Sequence, residues 1–294
     1  MEGLVRLASG VLRLDLVPQA GGAIARFATE GPGGGRDWMR PMSAGAIAAR
    51  DVAAAACFPL VPFSNRIRDR AFAFDGRAVH MAHPFHDAEH GHGWLSPWQV
   101  ERAGADHATL TFARPATKDW PFAYAARQAF ALTAARLEIG IEIVNTGTTR
   151  MPAGLGLHPY FPRTPMAILR AQVDGLWETD ARILPTRLVA PEQPRDPRAG
   201  VAVDRVALDN CFAGWAGRAE IAWPETGDGL EMIAEGPVRF LVVYTPPGED
   251  FFCAEPVSNA TDAFNLAAAG RTDTGMLVLE PGRSASARVT FTPR

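Results

Sequence analysis

The sequence predicts an all-β protein: one large antiparallel β-sandwich domain over residues 1–294, with few short helices. Three observations carry that prediction. Leu137, Ile139, Ile141 and Ile143 alternate with Arg136, Glu138, Gly140 and Glu142, the period-two pattern of a strand half-buried on a sheet. Glycine and proline, 28 and 24 of the 294 residues, punctuate short apolar runs throughout. Helical signal is scarce, and the alanine-rich Ser43–Cys57 is its best candidate.

In chain order, Val11, Leu12, Leu14 and Leu16 form the first apolar run, ended by Pro18 and a Gly21–Gly22 turn. Ala23–Thr29 is the next strand, and Gly31–Gly35 a loop. The segment from Phe58 to Phe72 holds two prolines early on, which argues against a central strand and for an ordered loop carrying Asn65, Arg66, Arg68 and Arg70. Ala71–Met81 reads as a hairpin, with Asp75–Gly76 as its type I′ turn. A loop dense in His, Gly and Trp follows, from His83 to Trp98. Gln99–Asn145 is strand-rich, and Met151–Pro162 continues as a strand end carrying His158. Pro191–Gly200 is an exposed loop, since strand signals of one style continue on both sides. Gly236–Tyr244 and Phe251–Glu255 are short strands around a Pro246–Asp250 turn. The last strand sets Ala285, Ala287, Val289 and Phe291 against Ser284, Ser286, Arg288 and Thr290.

Composition narrows the function classes. Hydrophobic content of 47% and charged content of 21% are those of an ordinary globular protein. A net charge of −3 offers no footprint for nucleic acid, and no polybasic tail addresses a membrane. Cys57, Cys211 and Cys253 are odd in number and widely spaced, the pattern of buried thiols in a reducing compartment. With no apolar leader in the first residues, a cytoplasmic location is expected. Lys118 is the only lysine, a bias consistent with coding composition.

Four polar clusters are candidates for chemistry, each in a loop or at a strand end. His158 lies between Gly154, Gly156 and Pro159; proline stiffens the backbone and fixes the direction of the imidazole, as proton transfer requires. Glu255 follows an apolar run, so burial would raise its pKa toward that of a base; the alternative is a buried ion pair, for instance with Arg66. Asn65–Arg66 offers a donor fork for sugar hydroxyls or a carboxylate, or else a solvated surface arginine. Asp209 is a hydroxyl acceptor or an Asx-turn. His83, His86, His90 and His92, with Glu89 or Glu255, could ligate a metal, although no downstream Cys/His pair completes a motif; His90 could instead bond a sugar ring.

Taken in order, Asn65–Ile67, His90–Trp94, Gly154–Phe161, Leu208–Phe212 and Ala254–Pro256 resemble the aldose 1-epimerase, or galactose mutarotase, family over nearly the whole chain. The resemblance implies a galactose mutarotase-like β-sandwich with a sugar groove, and cofactor-independent interconversion of the anomers of a free aldose. It implies Glu255 as general base and His158 as general acid, with Arg66, His90 and Asp209 holding the sugar. Trp94 and Phe252 are added as apolar stacking surfaces. No cofactor or metal is called for, and the partner is a small sugar; oligomeric state is not legible. A carboxylate and an imidazolium on opposite sides of the acetal should give a bell-shaped pH–rate profile, not one flat across neutral pH. Hexose-6-phosphate epimerases are similar but place arginines after the HG motif. Here Trp94–Pro97 occupies that place, which favours an unphosphorylated sugar, with Arg68 and Arg70 as a residual source of positive charge. A carbohydrate-binding or sensory protein without turnover is the other reading, and a metal-dependent isomerase or dioxygenase-like protein a third.

Overall fold

Two large antiparallel sheets face each other across the core. They were described in a computed structural model covering residues 3–31 and 34–294. Residues 32 and 33 of the expected glycine loop lie outside the described residues. The first sheet runs, edge to edge, Val5–Ser9, Leu12–Val17, Ala23–Thr29, Cys57–Leu60, Gly156–Pro162, Phe251–Val257, Phe240–Tyr244, Asp209–Ala213, Gly175–Thr179 and Pro185–Val189. The second runs Gln99–Ala103, His107–Arg114, Tyr124–Leu132, Leu137–Asn145, Ser284–Pro293, Asp228–Glu235, Arg218–Trp223, Ile168–Ala171 and Val201–Ala202.

The period-two expectation holds where it was sharpest. Leu137, Ile139, Ile141 and Ile143 are buried, and they pair in register with Phe291, Val289, Ala287 and Ala285. Removing each such aliphatic side chain from water stabilises the fold by about 1.5–3 kcal/mol before entropy is counted. Ala23–Thr29 forms as expected, as does the Ala71–Phe74/Arg77–His80 hairpin with Asp75 and Gly76 both at positive φ.

Three expectations need correction. Cys57–Leu60 is a central strand despite Pro59, lying between Ala23–Thr29 and Gly156–Pro162. Its pairing with Ala23–Thr29 ends at Cys57, so the donor that Pro59 lacks points where no ladder continues. Ser43–Cys57 is not one helix. Only Ala44–Ala49 is helical, capped by the Ser43 hydroxyl and stopped by left-handed Arg50; Asp51 then opens a separate 3₁₀ turn. Gly236 has a positive φ, and the strand starts at Phe240.

The first sheet is buried on both faces. One face meets the second sheet through Phe161, Phe252, Phe212 and Phe27. The other lies under loops and packs Phe58, Trp94, Tyr160, Trp177 and Val242. Double burial explains why Cys57–Leu60, Gly156–Pro162 and Phe251–Val257 read as nearly continuous apolar runs, interrupted by His158 and Glu255. The three cysteines are buried on this sheet, and none forms a disulfide. Among the described residues, no helix is long and apolar enough to cross a membrane.

Candidate active site

Strand register brings the predicted acid–base residues together. Gly156–Pro162 pairs with Phe251–Val257 at Gly156↔Val257 and Tyr160↔Cys253, and the same register sets His158 opposite Glu255. One rung of the sheet therefore reads Phe58, His158, Glu255, Val242, Cys211. The next rung on that face reads Tyr160, Cys253, Tyr244, Asp209. Residues of five strands far apart in sequence thus share one surface because side chains alternate strictly along strands.

His158 Nε2 lies 3.3 Å from Glu255 Oε1, with both side chains almost fully buried. His158 Nδ1 and Glu255 Oε2 are buried without hydrogen-bond partners. Burial pushes the Glu255 carboxyl well above its ordinary value; Asp209 and Glu89 add to this and Arg66 opposes it. Burial, with some help from Arg40, lowers the His158 imidazole to about 3. Both groups are thus driven toward their neutral forms. They adjoin on one floor, and do not flank a ligand from opposite sides.

Gly154 and Gly156 serve backbone approach, not a ligand. A Cβ at Gly156 would meet Pro256 O at 2.7 Å, and one at Gly154 would run into Asn259 Oδ1. Asn259 and Ser64 are joined through Ser64 N, Oγ and O, and Asp262 N–H donates to Arg66 O. The segment after the Glu255 strand, which the sequence reading left unused, therefore anchors the Arg66 loop.

Loops supply the remaining polar groups. Arg66 Nε is 2.9 Å from Glu89 Oε1, and its Nη1 is 3.6 Å from Asp209 Oδ2. Burial raises both of those carboxyl pKa values, and Arg66 opposes the rise. Asn65, at positive φ, turns its side chain onto the Arg66 N–H, while its own N–H donates to His90 Nδ1 at 3.1 Å. That bond fixes the His90 tautomer and leaves Nε2 as the donor. Burial, with His158 and Arg66, keeps His90 neutral. Gly91 after it has positive φ, and a Cβ there would collide with Val61 O.

These groups line a cavity of about 250 Å³ together with Phe58, Phe85, Trp94, Tyr160, Tyr244 and Ala53. Of the residues predicted from sequence, Glu255, His158, Arg66, His90, Asp209, Asn65 and Trp94 meet there. Phe252 does not. It points to the opposite face of its strand, is fully buried, and packs on Phe161. Trp94 is also corrected as a stacking surface. Its faces lie against Phe58 (5.2 Å) and Phe85 (6.1 Å), and its Nε1 donates to Glu89 O. Tyr160 and Tyr244 were missed; the two-residue spacing from His158 would have found Tyr160.

The histidine loop diverges. His92 is buried against Trp120 and bonds Tyr124 Oη at 3.2 Å, while exposed His86 sits beside Asp69 and Asp87 under Arg182. Among the described residues, no metal-ligating group combines two histidines of that loop. His158, Cys253 and Glu255 do bring three ligand atoms within 4.8 Å of one another. Burial favours the neutral form of all three, so a cation would have to displace protons from the thiol and the carboxyl.

Comparison with known proteins gives a concordant picture. The family sequence model described as Aldose 1-epimerase matches residues 4–292. The Escherichia coli K12 protein named "Uncharacterized protein YphB" is 32% identical, over 97% of each chain. A crystal structure titled "Putative aldose 1-epimerase", also from Escherichia coli K12, is 28% identical with a TM-score of 0.89, covering 99% of this chain and 98% of that one. A galactose mutarotase-like protein from Clostridium acetobutylicum shares the fold at 19% identity and a TM-score of 0.86, over 98% and 94% of the two chains.

Proposed function

The chain belongs to the aldose 1-epimerase family, and from that premise we propose that it interconverts the α and β anomers of a free, unphosphorylated aldose. The observation that carries this reading is the Glu255–His158 pair, 3.3 Å apart on the floor of a cavity of about 250 Å³.

The exocyclic oxygen and the ring oxygen of a hemiacetal share one carbon, so two adjoining groups can serve both. Glu255 takes the proton of the C1 hydroxyl as the C1–ring-oxygen bond breaks and a C1 carbonyl forms. His158 Nε2 gives a proton to the departing ring oxygen. Rotation about C1–C2 exposes the other carbonyl face, and the reverse transfers close the ring. Charged Glu255⁻/His158⁺ and neutral Glu255/His158 hold the same number of protons. Ring opening leaves the neutral pair, the form that burial favours. Arg66, Asp209 and the His90 Nε2 donor provide hydroxyl contacts, and none of these steps needs a cofactor.

Because the pair titrates as a unit, its two apparent pKa values spread apart. Burial moves the acid limb of the pH profile downward and the alkaline limb upward, so a broad bell is expected, and flatness near neutral pH does not count against the pair. Three carboxyl groups, Glu89, Asp209 and Glu255, share the cavity with one guanidinium, Arg66, which supports a neutral sugar over a phosphorylated one. Arg68 is turned to Asp262 (3.4 Å) and Arg70 to His83 O (3.4 Å), away from the lining.

The test is polarimetry of freshly dissolved α-anomers of several aldoses and of a hexose 6-phosphate. Faster equilibration of at least one free aldose is expected. If none is hastened, the proposal fails.

A further inference from the structure

Face-to-face stacking continues past His158. Its imidazole stacks on Phe58, at 4.6 Å and 28°, and on Tyr160, at 4.7 Å and 21°, two rings that themselves lie 6.0 Å apart. Arg40 lies over Tyr160, its guanidinium carbon 4.1 Å from that ring and 4.4 Å from Phe251. Arg40 Nη2 donates to Ala53 O and Ala55 O, at 2.9 and 3.0 Å, and the Arg40 N–H donates to Tyr160 O at 2.8 Å. Its hydrogen bonds end on carbonyls, not on carboxylates, so its charge is fixed in place without being neutralised.

We propose that Arg40 is a positioning residue for the proton transfer: its charge, held against the Tyr160 ring, keeps His158 as the neutral partner of Glu255 before a sugar binds. This rests on the acid–base reading of Glu255 and His158 given above. The other groups facing His158 leave Arg40 that role. From the neighbouring strands these are Glu255, Cys253 and Cys57, whose sulfur faces the His158 backbone N–H. His90 approaches edge-on at 5.0 Å, and Tyr160 stacks. Burial holds Cys57, Cys253 and Tyr160 un-ionised, and His90 is neutral. That leaves Arg40 as the charge acting directly on the imidazole, with Arg66 reaching it through Glu255 and His90.

The distances through Tyr160 place the Arg40 charge within about 9 Å of the imidazole; at an effective dielectric constant near 20, that moves a titration midpoint by about one pH unit or more. The consequence is functional. Without Arg40, His158 would more readily carry its proton before a sugar arrives, and the acid limb would move toward neutrality.

Arg40→Gln and Arg40→Met remove the charge, the second keeping the packing on both rings; Arg40→Lys retains it. The His158 imidazole is followed by ¹⁵N NMR from about pH 8 to about pH 4, with its signal assigned by loss in His158→Asn. In the Gln and Met variants protonation should begin about one pH unit above wild type, with the acid limb of kcat/KM moving equally, while the Lys variant follows wild type. Imidazole titration unchanged in both neutral variants overturns the proposal, whatever happens to Tm, and leaves Arg40 a structural clamp. The NMR titration needs no turnover, so its failure is separate from failure of the polarimetric test.

Discussion

Replacing Glu255 by Gln separates what the site does from what it costs the fold. The substitution keeps the side-chain volume and removes the ionisable group. Loss of the base should lower kcat roughly 10²- to 10⁴-fold. Stability should move the other way. The folded chain binds the Glu255 proton more tightly than the unfolded chain does, because burial raises this carboxyl well above 4.5. Its stabilising contribution is therefore complete below the unfolded carboxyl range and is lost as pH rises toward the folded-state midpoint. At pH 7 the unfolded carboxyl gains hydration as an anion that the fold must forgo. The wild type is then less stable than the amide variant by at most about 3 kcal/mol, with no such difference at pH 4. For a chain of this length that is a Tm increase of up to about 6 °C for Glu255→Gln. Polarimetry and scanning calorimetry across pH measure the two halves. An unimpaired rate, or a Tm difference that does not grow with pH, would refute the reasoning.

Burial lowers the His92 imidazole, like that of His158, to about 3. Its folded-state midpoint is depressed, so its contribution to stability is present above the unfolded value of 6.5 and is lost as pH falls toward 3. His92→Gln should flatten the stability loss in that window by up to about 1.4 kcal/mol per pH unit in urea titrations. Arg66→Lys keeps the charge but not the fork between Glu89 and Asp209. It should raise KM about tenfold with a smaller change in kcat, and an unchanged KM would remove Arg66 from sugar binding. Gly154→Ala forces Asn259 away from Ser64 and should cost about 1–3 kcal/mol in chemical denaturation.

Alternation made the outer sheet legible: Leu137–Asn145 and the last strand each present one apolar face and one polar face. The inner sheet was harder, because burial on both faces erases that contrast. Cys57–Leu60 therefore passed for a loop, its proline tolerated only because the neighbouring ladder stops short. Stacking surfaces were misjudged for two reasons. Phe252 adjoins the strand face of Glu255 in sequence but, three residues away, points to the other side. Trp94 is enclosed by Phe58 and by Phe85, a neighbour that only the folded loop supplies. His158 and Glu255 were legible as chemistry, but their separation was not. It depends on the register of two strands nearly a hundred residues apart.

That register has a mechanical corollary. It sets Leu157 opposite Pro256 and Ala254 opposite Pro159, and neither proline can donate, so no ladder pairs form between Gly156↔Val257 and Tyr160↔Cys253. The two strands are joined by ladder pairs on either side and unpaired in between, directly beneath the carboxyl and the imidazole. The stretch without cross-strand pairs is thus the one that carries the residues proposed to exchange a proton.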